Sequence, residues 1–174
     1  MFHGIVDCKK KIDIVRRTSL KLKTKIKLSM KIISYSIFGE EQWYRNGLIK
    51  NIEIAKSLLK DWTVRVYMSD KIEKEFINKV SKNNNVEVII KNEKYPYEGL
   101  MWRMLPMEEG HEVVAVRDCD TRLFQRDKNL LDDWISNKFK YHVCRENPGA
   151  YSVILAGLYG GKKPNLIIED KFHK

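Results

Sequence analysis

The chain predicts an α/β protein built on an open, mainly parallel sheet flanked by helices, and three observations carry that prediction. From Met30 onward, short β-prone runs alternate with segments of helical apolar spacing, the pattern that builds parallel sheets through crossover helices. Glu112-Val-Val-Ala-Val116 is almost uniformly apolar, as a strand buried on both faces must be. Turn signals such as Gly39 and Asn83-Asn-Asn85 separate the runs.

The elements follow in order. Lys31 to Phe38 is a β-prone run ended by Gly39, and Glu40 to Lys60 carries apolar residues at helical spacing through Trp43, Leu48, Ile52, Ala55 and Leu59. Trp62 to Met68 alternates as a second strand. Ser69 resembles an N-cap, and Asp70 to Lys82 sets Ile72, Phe76, Ile77 and Val80 on one helical face. Val86 to Ile90 is a third strand. Tyr95 to Leu105 enters through a proline loop and makes a short helix, with Trp102 assigned to the core. Glu112 to Val116 is the fourth strand, and Asp127 to Asn137 is a helix turning Leu130, Leu131, Trp134 and Ile135 inward. Tyr141 to Cys144 is a fifth strand. Val153 to Gly161 is apolar and glycine-rich, suited to close approach by a ligand or another strand.

At 174 residues, with 43% hydrophobic and 32% charged content, the chain suits one globular domain. It has neither an apolar run long enough to span a bilayer nor a secretory leader pattern, so a cytoplasmic protein is expected. Cys8, Cys119 and Cys144 are odd in number and widely spaced, which argues for reduced thiols and against a disulfide framework or a zinc site. The net charge is +10, of which +7 falls on residues 1–29. That concentration predicts a basic, disordered N-terminal extension ahead of a domain over residues 30–174, and Met30 as the natural start is a second reading. The folded part has no basic stripe, so nucleic-acid binding is expected only through the extension.

The feature with most chemistry is Arg117-Asp-Cys-Asp-Thr-Arg122, where the fourth strand ends in two carboxylates. Open α/β sheets bind ligands beyond the carboxyl ends of their strands, and Mg²⁺ or Mn²⁺ takes oxygen donors, often one or two carboxylates with phosphate and water. Asp118 and Asp120 are therefore the candidate metal residues. For the tripeptide alone, a strand followed by a solvated turn is the favoured reading, so context decides. The parallel order puts the end of the first strand, Ser34 to Gly39, on the same rim.

Several segments supply that context: Lys31-Ile-Ile-Ser-Tyr-Ser-Ile-Phe-Gly39, Tyr44-x-x-Gly47-x-x-x-Asn51, Trp62-x-x-Arg65-Val-Tyr67 and Tyr97-Glu-Gly-Leu-Met-Trp-Arg103. Arg117 to Arg122, Asp133-Trp-Ile-Ser136, Arg145-Glu-Asn-Pro148 and Ile154 to Gly160 continue the series. In this order and spacing they resemble the GT-A class of nucleotide-sugar glycosyltransferases, in particular a small family of large DNA viruses and some bacteria. The resemblance implies a GT-A-like (Rossmann-like) fold and a metal-dependent transfer from a UDP- or GDP-sugar to an unidentified glycan, protein or lipid acceptor, in the host cytoplasm if the protein is viral. It implies direct metal contact for Asp120, and for Asp118 either contact with the donor's ribose or sugar or orientation of the metal's waters. Ser34, Tyr35 and Phe38 line the nucleotide pocket on this analogy, and Arg103 and Arg122 either bind phosphate or serve as surface ion-pair residues.

The chain departs from the family at Glu146-Asn-Pro-Gly-Ala150, where an acid and two histidines are usual, and at Ala156-Gly157, where two glycines are usual. Related enzymes continue further, with another acidic motif and a late histidine. Neither Glu169, Asp170 nor His173 stands in such a motif. The expectation is a C-terminally shortened domain with a donor site, no assigned catalytic residue, and transfer activity in question. Two alternatives stand beside it. A haloacid-dehalogenase-type phosphatase also uses Asp-x-Asp after a strand, although its motif follows the first strand and prefers Thr or Val where Arg122 stands. A non-catalytic nucleotide or nucleic-acid binding protein is the other.

Overall fold

Strand β1 (Lys31–Ile37) is buried along nearly its whole length and stands near the middle of a six-stranded sheet of order β3-β2-β1-β4-β6-β5. The computed structural model describes residues 30–95, 97–145 and 157–164. Expectations for residues 1–29, 146–150 and 154–156, and for Glu169, Asp170 and His173, lie outside the described residues.

β1 leads through Gly39, at φ 78°, into α1 (Gln42–Leu58), then β2 (Trp62–Ser69), α2 (Lys74–Ser81) and β3 (Val86–Lys91). A short α3 (Gly99–Trp102) and a 3-10 turn (Leu105–Glu108) precede β4 (Val113–Arg117), followed by α4 (Gln125–Ser136), β5 (Tyr141–Val143) and β6 (Leu158–Lys162). β1 pairs in parallel with β2 and with β4, and β2 in parallel with β3. β6 runs antiparallel to both β4 and β5, so the sheet is mixed but mostly parallel, as expected.

Alternation along the strands splits the core into two layers. Ile33, Tyr35 and Ile37 of β1, Val64, Val66 and Met68 of β2 and Ala115 of β4 face Leu48, Ile52 and Ala55 of α1, Val80 of α2 and Leu131 and Trp134 of α4. Each such aliphatic side chain contributes about 1.5–3 kcal/mol on burial, so this helix-covered face carries most of the stability. Ile32, Val114 and Val116 face the other way, against Met107 with Met104 and Tyr159. α3 packs on that second face against β1 and β2.

Two expectations about elements are corrected. Ser69 does not cap a helix: its hydroxyl accepts a hydrogen bond from Lys71 N at 3.2 Å, a local turn, and α2 starts only at Lys74. Trp43 is 61% exposed rather than inward. It stands in the first turn of α1, one full turn before Gly47, the first buried residue of the helix, and about 140° around the helix from Leu48. The segment from Tyr95 makes a short helix as expected, its α-helical part covering four residues before the chain tightens at Pro106.

A buried polar network fastens the second face beside β2. Arg65 is 3% exposed and donates to Glu87 Oε2 at 2.8 and 3.0 Å, and also to Glu109. Tyr67 donates its hydroxyl to Glu109 at 3.1 Å, and a His111 ring nitrogen lies 2.9 Å from the same carboxylate.

Candidate functional site

The chain reverses direction across the sheet between β1 and β4: β2 and β3 lie on one side of β1, whereas β4 lies on the other. Such a switch point leaves a crevice at the carboxyl ends of the two strands. The residues at those ends are Phe38 and Gly39 on one strand and Asp118 to Arg122 on the other.

Asp118 comes two residues after Val116 and faces the layer covered by α3. There the side chain of Arg103, 8% exposed at the end of α3, forms an ion pair with Asp118 Oδ1 at 2.6 Å. Gly157 presses on the opposite carboxylate oxygen so closely that any Cβ at that position would collide with Asp118. Burial pushes the Asp118 carboxyl up, Arg103 opposes this, and the charge of Asp120 adds to the rise. Asp120 itself is exposed at the open side of the loop.

The loop between them is held from α1. Asn51, fully buried, donates to the carbonyl oxygens of Cys119 at 3.2 Å and Thr121 at 2.9 Å, and accepts from Leu123 N at 3.0 Å. Arg122 folds back and donates to the carbonyls of Cys119 at 3.1 Å and Asp120 at 3.3 Å, tying the loop rather than pairing with a surface acid. Arg117, 1% exposed, reaches the other face, donating to Val116 O at 2.9 Å and lying 3.9 Å from Asp127. Cys119 is 3% exposed with its thiol donating to Ser36 O at 3.4 Å, and burial pushes that thiol up, which argues against nucleophilic chemistry there.

The other residues expected at the site are distributed unevenly. Phe38 lies on the rim with its ring against Gly99. Ser34 sits deeper in β1 on the face of Asp118, its hydroxyl buried without a hydrogen-bond partner, and Ser36 repeats that pattern one pleat nearer the rim. Tyr35 points to the opposite face, fully buried among the helix-facing core residues, so it is a core residue and does not meet Asp118. Two positions carry weight that the sequence reading did not give them. Asn51 is a polar residue on the otherwise apolar buried face of α1, which was its signal. Tyr159 gave none, standing in a short glycine-rich strand. Its buried hydroxyl lacks a hydrogen-bond partner, and the charges of Arg103 and Asp118 act on it in opposite senses.

The donor set suits a hard divalent cation in one specific way. Two carboxylates supply only oxygen, and among the described residues no third His, Cys, Asp or Glu joins them. A cation there therefore needs further oxygens from a ligand, as Mg²⁺ and Mn²⁺ take them from phosphates. The unpartnered hydroxyls of Ser34, Ser36 and Tyr159 fit a polar ligand on the same face. A phosphatase of the haloacid-dehalogenase type gains nothing from this arrangement, because the pair follows β4 rather than β1 and Asp118 is held by Arg103.

A mostly parallel six-stranded sheet with helices and an acidic pair at its switch point defines a GT-A-like fold. Among solved structures, the chain is similar to the mannosyltransferase PcManGT from Pyrobaculum calidifontis, determined in complex with GDP-Man and Mn²⁺, with a TM-score of 0.56 and 12% identity. The match covers 77% of this chain and 45% of that one, so the chain spans less than half the length of that enzyme. At this identity the likeness is one of fold. No protein-family model matches the sequence, and no curated protein matches it. Among the described residues, no helix is long and apolar enough to cross a membrane.

Proposed function

We propose that residues 30–174 form the donor-binding unit of a metal-dependent glycosyltransferase that takes a nucleotide-diphosphate sugar, with residues 1–29 as a basic extension. The observation that carries this reading is the position of Asp118 and Asp120 at the switch point, one held by Arg103 and the other open to solvent. The GDP-Man and Mn²⁺ bound by the similarly folded mannosyltransferase support it, and so does the resemblance of the segments quoted above to GT-A glycosyltransferases.

Glycosyl transfer breaks the bond between the anomeric carbon and the diphosphate oxygen and forms one to an acceptor hydroxyl, whose proton leaves. Negative charge grows on the departing diphosphate. A divalent cation held by Asp118 and Asp120 would supply Lewis-acid stabilisation of that charge. The chain's own groups act around it. Arg103 fixes the Asp118 carboxylate in place and brings a guanidinium to the same rim, where forked hydrogen bonds to phosphate are available. Asn51 and Arg122 hold the loop rigid, so that little ordering remains to be lost on binding. Ser34, Ser36 and Tyr159 offer hydroxyls on the same face, and Phe38 offers a ring edge at the rim.

Calorimetric titration of the full chain with GDP and UDP, each with and without Mn²⁺, tests the reading. Binding of at least one diphosphate that depends on Mn²⁺ and is lost in Asp118→Ala/Asp120→Ala is expected. A wild-type chain that binds neither, or a double variant that binds equally well, overturns it.

A further inference from the structure

We infer that Trp43 and Tyr44, with Gln42 and Asn46, form a saccharide platform that seats the acceptor sugar beside the diphosphate site. The inference rests on the proposed transfer reaction and names the acceptor chemistry that the sequence left open. Of the four tryptophans, Trp62, Trp102 and Trp134 are 4%, 2% and 3% exposed, whereas Trp43 is 61% exposed. An indole so placed is uncommon in a soluble domain and invites a partner. Its location follows from the helix. Gly47 of α1 presses against the Cys119 carbonyl, and Trp43 lies one turn nearer the rim on the same helical face. Trp43 therefore stands about 6 Å further along α1, toward the rim, than the point where the helix meets the loop carrying Asp120.

The surrounding chemistry suits a sugar. Trp43 and Tyr44 have ring centroids 5.7 Å apart and planes tilted by 47°, which makes a small apolar corner. Beside it Gln42 donates to Asn46 Oδ1 at 3.1 Å, so two exposed amides border the rings. A pyranose presents a C–H face to an aromatic ring and a rim of hydroxyls to amides. Size decides against a protein partner: two such rings bury about 150–250 Å² each, far below the roughly 800 Å² per partner of a stable protein interface. Phe124, 63% exposed where the same loop enters α4, provides a further ring beyond Asp120.

The three buried tryptophans make Trp43 a selective fluorescence reporter. Iodide quenching of the full chain is measured with methyl α-mannoside, methyl β-glucoside and methyl β-galactoside as probes, both with and without GDP and Mn²⁺. At least one glycoside should protect the exposed indole from iodide. In Trp43→Ala/Tyr44→Ala, the chemical-shift changes that the glycoside causes at the Gln42 and Asn46 side-chain amides should vanish, with GDP and Mn²⁺ affinity unchanged. No protection by any of the three overturns the platform, as does unchanged glycoside binding in the variant. A fall in GDP affinity in the variant assigns the rings to the donor base and overturns it too. Failure of the donor reading itself would show separately, as absent GDP binding in the wild type.

Discussion

Gly47 of α1 lies directly against the carbonyl oxygen of Cys119, with Arg122 Nη1 2.7 Å from where a Cβ would stand. Helix and aspartate loop are thus in backbone contact. Gly47→Ala gains up to about 1 kcal/mol in helix propensity, but the obstacle is backbone, and overpacking of this kind costs about 1–3 kcal/mol. A lower urea midpoint and weaker Mn²⁺-dependent GDP binding are expected, read by denaturation and calorimetry on the same sample.

Asn51 makes three hydrogen bonds to the backbone of residues 119 to 123 from a fully buried position. Asn51→Leu keeps the volume but strands the Thr121 carbonyl and the Leu123 amide and leaves the Cys119 carbonyl to Arg122 alone. At about 0.5–1.5 kcal/mol per bond, with more where a buried group is left unpaired, a loss of about 2–4 kcal/mol follows. Asn51→Asp should be no better, since it removes the donor and buries a charge. Hydrogen exchange at Leu123 N should speed up in the Leu variant relative to amides in β1.

Gly157→Ala discriminates site from scaffold. The new methyl group meets the Asp118 carboxylate rather than core packing, so the side chain must swing away from Arg103. Loss of Mn²⁺-dependent nucleotide binding should exceed any loss of thermal stability. Equal binding by this variant would mean that the carboxylate works from a different position.

Acid sensitivity should trace to Glu109. The hydrogen bond from His111, reinforced by the Arg65 charge, outweighs burial and holds this carboxyl at about 2 against an ordinary 4.5. A folded value below the unfolded one means that the stabilisation is complete above the unfolded value and is lost as pH falls from about 4.5 through about 2. Glu109→Gln should melt lower at neutral pH and show a shallower decline across that window. Melting curves between pH 2 and 7 for both proteins check the sign.

The alternating strand and helix order was legible because each strand is a short apolar run bounded by turn residues, and β1, β2 and β4 are buried on both faces. Asp118 and Asp120 were legible for the same reason, as polar residues that abruptly end such a run. Side-chain direction was less so. Ser34 and Tyr35 are adjacent in sequence, but the pleat sends one toward Asp118 and the other into the helix-covered core. Trp43 matched an apolar count but stands in the first turn of α1, ahead of the first buried residue, Gly47. Asn51, Gly157 and Tyr159 stand in segments quoted for the resemblance, but their roles escaped because those depend on contacts far along the chain: Asn51 reaches Thr121, and Gly157 reaches Asp118.

The antiparallel return of β6 sets an order of events. Arg117 pairs with Leu158, so the strand next to the acidic pair, and the glycine that presses on Asp118, come from near the end of the described chain. Such long-range pairing is reached late, because loop closure must precede any reward from contact. On the ribosome, the first four strands can assemble while Asp118 still lacks its second wall. The wall beside the Asp118 carboxylate is finished by the last of the described strands, so the geometry around that carboxylate depends on β6 having joined the sheet.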